Sequence, residues 1–244
     1  MPLATLFRTE HPPTCPAHVR PLIDSYTQLN AGLPTRDQTL ITALQHTLPT
    51  DGQKAVPDFW PYAVGSACAA RWLAEALDED GDWAFAAGLW HGTGLPVLHA
   101  AWPAALARLN QVVHPLSPER HAAEHAMLGV HHGEVSAELA RRWGFAEGIV
   151  AALAAIHEPR RAGRWAVLAA IVHLAAWRTR VERLGWDDAQ AQASCPTGLA
   201  RWLSVPFTWC SQHATLRGVS EALLGPMPPP SSLAAALLES GMKA

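Results

Sequence analysis

Positions 132, 135, 139 and 143 carry His, Val, Leu and Trp. Steps of three and four residues put them on one helix face. Gly144 stops that helix, and Phe145 begins a short link. A second helix is predicted from about Glu147 to His157, ending before Pro159, which cannot continue it. His132 and His157 then lie at the far ends of two neighbouring helices, and antiparallel packing would let their imidazoles meet.

The rest of the chain also reads in helical periods. Residues 1–16 are rich in proline and predicted irregular. Helices are expected from about Ala17 to Asn30 and, capped by Thr35 or Asp37, to about Leu48, with Thr50 to Pro57 as a loop. A long helix follows Pro57. Trp60, Val64, Ala67, Trp72 and Leu77 form its expected apolar face, and Asp78 to Gly81 end it. Asp82 is the expected cap of a short helix carrying Trp83, Phe85, Leu89 and Trp90. His91-Gly-Thr-Gly94 closes that helix with two glycines for tight backbone. Short helical pieces are predicted over Leu95–Ala101 and Pro103–Val113, and Ser117 is the expected cap of the helix that enters His121.

After Pro159, Arg160 to Gly163 reads as a loop and Arg164 to Gly185 as a helix with Trp165, Leu168, Val172 and Ala175 on one face. Asp187 caps a short helix, Cys195 to Gly198 is a turn, and Pro206 to Leu224 and Leu233 to Leu238 hold further helices around a proline-rich linker. Alternating strand patterns and internal repeats are missing from the sequence. The expected fold is all-α: a compact multi-helix domain with a short N-terminal segment (1–56), a core (57–184) and a C-terminal helical extension (185–244).

Composition narrows the function. Hydrophobic residues make up 49% of the 244 and charged ones only 16%. A sizeable core and a weakly charged surface follow, with apolar area available to a partner. The net charge of −3 comes without a basic stripe, so nucleic-acid binding has no electrostatic support. Cys15, Cys68, Cys195 and Cys210 form no C-x-x-C pair and no zinc spacing, which fits reduced thiols in a cytoplasmic protein. The apolar run Trp165–Trp177 is too short for a bilayer, which takes about 20 residues. Of the 11 tryptophans, Trp186, Trp202 and Trp209 are the expected surface positions, because they lie outside the core.

Candidate chemistry centres on histidine. His121-Ala-Ala-Glu124-His125 matches H-x-x-E-H, in which two histidines bind zinc and the glutamate acts as base. The competing reading is a solvated helix start with Glu124 near the positive end of the dipole. A second set, His91, His132 and His157, sits at helix ends 41 and 25 residues apart.

This second set carries a family resemblance. Ala86 to Gly94 resembles the "GLLHDIG" segment of HD-superfamily domains. Glu124 to Phe145 resembles the "E…G-x-x-H-x-x-V-G-A-x-L-x-x-W" segment of HDOD domains, the HD-related output domains of bacterial signalling. Ile156 to Pro159 resembles their "HHEP", Phe59-Trp60 their "FW-x-H-S", and Ile171 to Ala176 their closing "hLAD" helix. The likeness implies an all-α domain and, in hydrolytic relatives, metals held jointly by His and Asp. This chain departs at those positions: Tyr62 stands for a His, Gly92 and Ala176 for Asp, and Ile156 for a His. A hard metal has no carboxylate anchor left. His91, His132 and His157 remain as vestigial metal candidates for Zn or Ni. A "D-P-x-L…N-S" segment usual in the N-terminal half is missing. The expectation is a protein without catalytic residues or cofactor, acting in signalling through a protein partner. The alternative is a metal-dependent phosphohydrolase acting on a nucleotide or phosphoester.

Overall fold

The structure is a computed structural model, and it describes residues 40–41 and 44–205. Residues 40–41 and 44–47 are helical, where a helix ending at about Leu48 is expected, and helices α1 (Thr50–Lys54), α2 (Phe59–Ala76), α3 (Gly81–Trp90), α4 (Gly94–Ala101), α5 (Pro103–Asn110) and α6 (Arg120–Leu128) come next. Then follow α7 (His132–Trp143), α8 (Glu147–Ala154), a 3-10 segment (Pro159–Trp165), α9 (Ala166–Arg183), α10 (Asp188–Ser194) and α11 (Thr197–Trp202). Every regular element among the described residues is helical, as the periodicity predicts. The expected helices over 17–30, 206–224 and 233–238, and Trp209, lie outside the described residues.

Helix α2 is the central post, packed along α3 on one side and α9 on the other. Small residues set both distances. A Cβ on Gly88 would stand 2.8 Å from the Ala67 Cα, and one on Gly65 would stand 2.7 Å from the Thr179 methyl. Helix α7 buries the predicted face, His132, Val135, Leu139 and Trp143, and packs chiefly along α8 and α4. Trp143 and Phe145 both pack on Trp90, at 5.0 and 4.5 Å between ring centroids. The Trp90 indole N–H donates to the Ser136 carbonyl at 3.1 Å, so a large apolar ring is buried without an orphaned donor.

Several local expectations are corrected. Thr50–Lys54 is a helix, α1, because it docks on α4: a Cβ on Gly52 would lie 1.9 Å from the Pro96 carbonyl oxygen. Asp80, not Asp82, caps α3 by accepting from the Trp83 N–H at 2.9 Å. Asp82 pairs instead with Arg71 at 3.0 Å. The Ser117 hydroxyl bonds to the Glu119 carboxylate, and α6 starts at Arg120 without a side-chain cap. Helix α8 stops at Ala154, leaving His157 on the following turn. Residues predicted as a loop after Pro159 form the 3-10 segment, and α11 begins inside the predicted Cys195–Gly198 turn. On α2, Trp72 turns outward, 40% exposed, below the Arg178 guanidinium at 5.3 Å. Of the expected surface tryptophans, Trp202 is 40% exposed, while Trp186 is half-buried against the core. Asp187 does cap α10, in a capping box with Gln190.

Candidate functional site

Helix α7 opens on a backbone turn fixed by its own side chains. His131 is the cap: its Nδ1 accepts from the Gly133 N–H at 3.1 Å, while the Glu134 carboxylate accepts from the His131 N–H at 3.0 Å. That turn presents His132 as the first helical residue. Its Nδ1–H donates to Glu124 Oε2 at 2.7 Å, and its backbone N–H donates to the same oxygen at 2.8 Å. The other Glu124 oxygen accepts from Arg120 Nε at 2.8 Å, and neither side chain of this pair is exposed at all. Burial alone would raise the Glu124 carboxyl, but the His132 charge and the hydrogen bonds from His132 and Arg120 outweigh it and hold the group at about 2. The ring of His132 is therefore fixed with Nδ1 turned to the carboxylate.

This bond belongs to a longer buried network. Arg120 Nη1 also donates to Asn110 Oδ1 and to the Val113 carbonyl, both at 2.8 Å. Asn110 Nδ2 meets His99 Nε2 at 3.2 Å, and His99 Nδ1 donates to the Leu95 carbonyl at 2.9 Å. Helices α4, α5, α6 and α7 are thus joined by one polar line running beneath His132.

His91 follows α3 and is 3% exposed. Its Nδ1–H donates to the Gly88 carbonyl at 2.5 Å, which fixes the neutral tautomer with a lone pair on Nε2. Burial is the main reason its pKa falls to about 3. The glycines of His91-Gly-Thr-Gly94 bring this corner against α7. A Cβ on Gly94 would stand 2.1 Å from the His132 carbonyl oxygen. The buried Ser136 hydroxyl accepts from the Gly94 N–H at 2.9 Å and lies 2.9 Å from the carbonyls of His91 and His132, sharing its one proton between them. This seryl bridge ties the two histidine corners together.

His157 meets His132 as the helix pairing predicts, with ring centroids 5.2 Å apart and planes at 89°. It also stacks face to face on His121 at 3.9 Å and meets His131 edge-on at 5.0 Å. Burial first, then the neighbouring histidines, push His157 well below its ordinary value. His131 falls to about 4, again mainly through burial.

His91, His132 and His157 line one cavity of about 180 Å³, shared with Tyr62, His173 and Arg180. The His173 Nδ1–H donates to the Ile156 carbonyl at 2.7 Å. Tyr62 packs edge-on against His91 at 5.0 Å, and its hydroxyl accepts from Arg180 Nη2 at 3.2 Å. Among the described residues, no aspartate or glutamate lines this space. At Gly92 a Cβ would stand 3.3 Å from the Phe59 ring and 3.8 Å from Tyr62, so a side chain there would press on Phe59. A guanidinium in the wall repels a cation. The residues here do not fit a metal centre, and among the described residues no group of three or more His, Cys, Asp or Glu is arranged to hold an ion.

The H-x-x-E-H spacing does not build a zinc site either. Glu124 is not solvated; it is fully buried and spent on Arg120 and His132. The His125 side chain is 60% exposed, 3.9 Å from Glu134. Sequence reasoning offered Glu124 as a base beside His125 rather than as the partner of His132, and missed His173 and Arg180 as site residues. Glu124 opens the segment that resembles the HDOD pattern, and Arg180 sits four residues after Ala176 on the cavity face of α9, which are the signals available for two of them.

The sequence profile of the HDOD domain matches residues 35–159. A comparison with curated proteins finds no match. Among solved structures, an HDOD domain protein from Geobacter sulfurreducens aligns over 90% of this chain and 97% of its own, with 18% identity and a TM-score of 0.63. A provisionally assigned signal transduction protein from Marinobacter aquaeolei VT8 aligns over 91% of this chain and 52% of its own, with 19% identity and a TM-score of 0.60. A provisionally assigned phosphohydrolase from Shewanella amazonensis SB2B aligns over 86% and 89%, with 18% identity and a TM-score of 0.57. At such identities the likeness concerns the fold. The profile match, spanning more than half of the chain and ending at Pro159 of the histidine corner, makes this protein a member of the HDOD domain family.

Proposed function

We propose that this chain is a non-catalytic regulatory protein of bacterial cytoplasmic signalling that works through contacts with a protein partner. The observation that carries the reading is the cavity at the HD position. Among the described residues it keeps imidazoles at His91, His132 and His157, has no carboxylate, and has an arginine in its wall. A hard ion such as Mg²⁺ needs oxygen ligands there, and no carboxylate among the described residues supplies one. The likeness to a signal transduction protein supports the signalling role. Trp72 and Trp202, each 40% exposed, are large apolar side chains of the kind that anchor interfaces. No helix among the described residues is long and apolar enough to cross a membrane.

The test is a panel of nucleotides and phosphoesters, assayed with added Mg²⁺, Mn²⁺ or Zn²⁺ and again with EDTA. The expected result is no turnover above buffer. Turnover abolished by EDTA and by His132→Ala would replace this reading with the phosphohydrolase.

A further inference from the structure

Three buried nitrogens of residues lining the 180 Å³ cavity have no hydrogen-bond partner among the described residues: His91 Nε2, His157 Nε2 and Arg180 Nε. Buried polar atoms are rarely left this way in a folded protein. Their chemistry points to a class of ligand. Arg180 is always charged, and its Nε–H is a donor without an acceptor. The Tyr62 hydroxyl already accepts from Arg180 Nη2 at 3.2 Å, so its own proton is left to donate. His91 Nε2 is a lone pair, because Nδ1–H is committed to Gly88. Glu124 lies behind His132, with both oxygens used, so its charge faces away from the space. A guanidinium, a phenol and an imidazole line one cavity, with no carboxylate beside them among the described residues.

We infer that this cavity binds a small oxyanion of the phosphate class, with Arg180 as its charge partner. A phosphate bearing one proton matches the set: its charged oxygens accept from Arg180 Nε–H and the Tyr62 hydroxyl, and its P–O–H donates to His91 Nε2. Sulfate has the same shape and charge but carries no proton near neutral pH, so it leaves the His91 lone pair unmet. The volume corresponds to about six waters, enough for a tetrahedral anion with residual solvent. This goes beyond a role in protein contacts, because the pocket then senses an anion rather than turning one over. Helices α2, α6, α7, α9 and α10 contribute to its wall through Tyr62, His121, His132, Arg180 and Ser194, and His91 joins from the turn after α3, so occupancy would report to the packing of the core.

The experiment is titration calorimetry on the full chain, stripped with EDTA, against inorganic phosphate, glycerol 2-phosphate and sulfate. Expected is one phosphate per chain, with sulfate at least about tenfold weaker. Arg180→Met removes the charge and keeps the packing. Ala176→Asp places a carboxylate one turn from Arg180, at i and i+4, to neutralise it in place. Either variant should weaken phosphate at least about tenfold. Circular dichroism checks folding, and Ala176→Asp carries the test if Arg180→Met does not fold. Tighter binding of glycerol 2-phosphate assigns the site to a phosphate group on a larger molecule, and tighter inorganic phosphate assigns it to the free ion. The inference is overturned by no binding to the stripped chain, by binding only after a metal is restored, by sulfate matching phosphate, or by both variants binding as the parent does.

Discussion

Glu124 is the residue whose loss should be felt most. Three donors converge on its two oxygens: Arg120 Nε on one, and the His132 N–H and Nδ1–H on the other. Glu124→Ala strips all three and leaves the Arg120 guanidinium, which has no exposed side-chain surface, without its counter-charge. Breaking a buried pair in this way costs about 3–5 kcal/mol. The pKa leads to a similar figure. A carboxyl held at about 2 instead of 4.5 contributes about 3 kcal/mol to folding at neutral pH. Glu124→Gln keeps the volume but does not rescue, because both ends of the side chain face donors and one end of the amide is itself a donor. Because the folded pKa is depressed, the stabilisation is complete above about 4.5 and drains as the pH falls towards 2. Urea unfolding at pH 7 should show Glu124→Ala losing about 3–5 kcal/mol, with the melting temperature falling by roughly 6–20 °C. The gap between the parent and Glu124→Gln should narrow below pH 4.5. A loss under about 1 kcal/mol for Glu124→Ala would refute the buried network, since surface pairs are worth no more.

Other substitutions probe the same corner. Gly94→Ala should destabilise by at least about 2 kcal/mol in the same assay, because its Cβ would overlap the His132 carbonyl at 2.1 Å and backbone cannot step aside. His157→Phe should stay within about 1 kcal/mol of the parent, since it preserves stacking on His121 and removes a buried nitrogen that has no partner. Burial depresses His91 to about 3 and His131 to about 4, and it also lowers His99, His157 and His173. The unfolded chain therefore takes up protons first, and stability should be full above about pH 6.5 and fall as the pH drops towards 4, read as a declining urea midpoint.

The helical periods in the sequence carried most of the fold. The face His132, Val135, Leu139, Trp143 is buried as its spacing requires, and the break at Gly144 turns the chain so that His157 reaches His132. Local errors arose where a tertiary contact overrode a local signal. Thr50–Lys54 has the composition of a loop and becomes a helix by docking on Pro96. Asp82 is a plausible cap, but Arg71 claims its carboxylate and Asp80 takes the role. The site was half legible. Its imidazoles were visible from their positions at helix ends. Glu124 was not, because its meaning depends on Arg120 four residues earlier and on the backbone turn at His132, neither of which is a pattern in spacing. Arg180 was hidden because an arginine near the end of an amphipathic helix ordinarily points to solvent, and only the helix packing turns this one to Tyr62.

The proposed function requires a cavity that holds no cation. Elemental analysis of the full chain, purified without chelator, tests this most directly. The account predicts zinc, nickel, manganese, iron and magnesium all well below stoichiometric amounts, unchanged by His132→Ala. About one metal ion per chain, lost on His132→Ala, would contradict it.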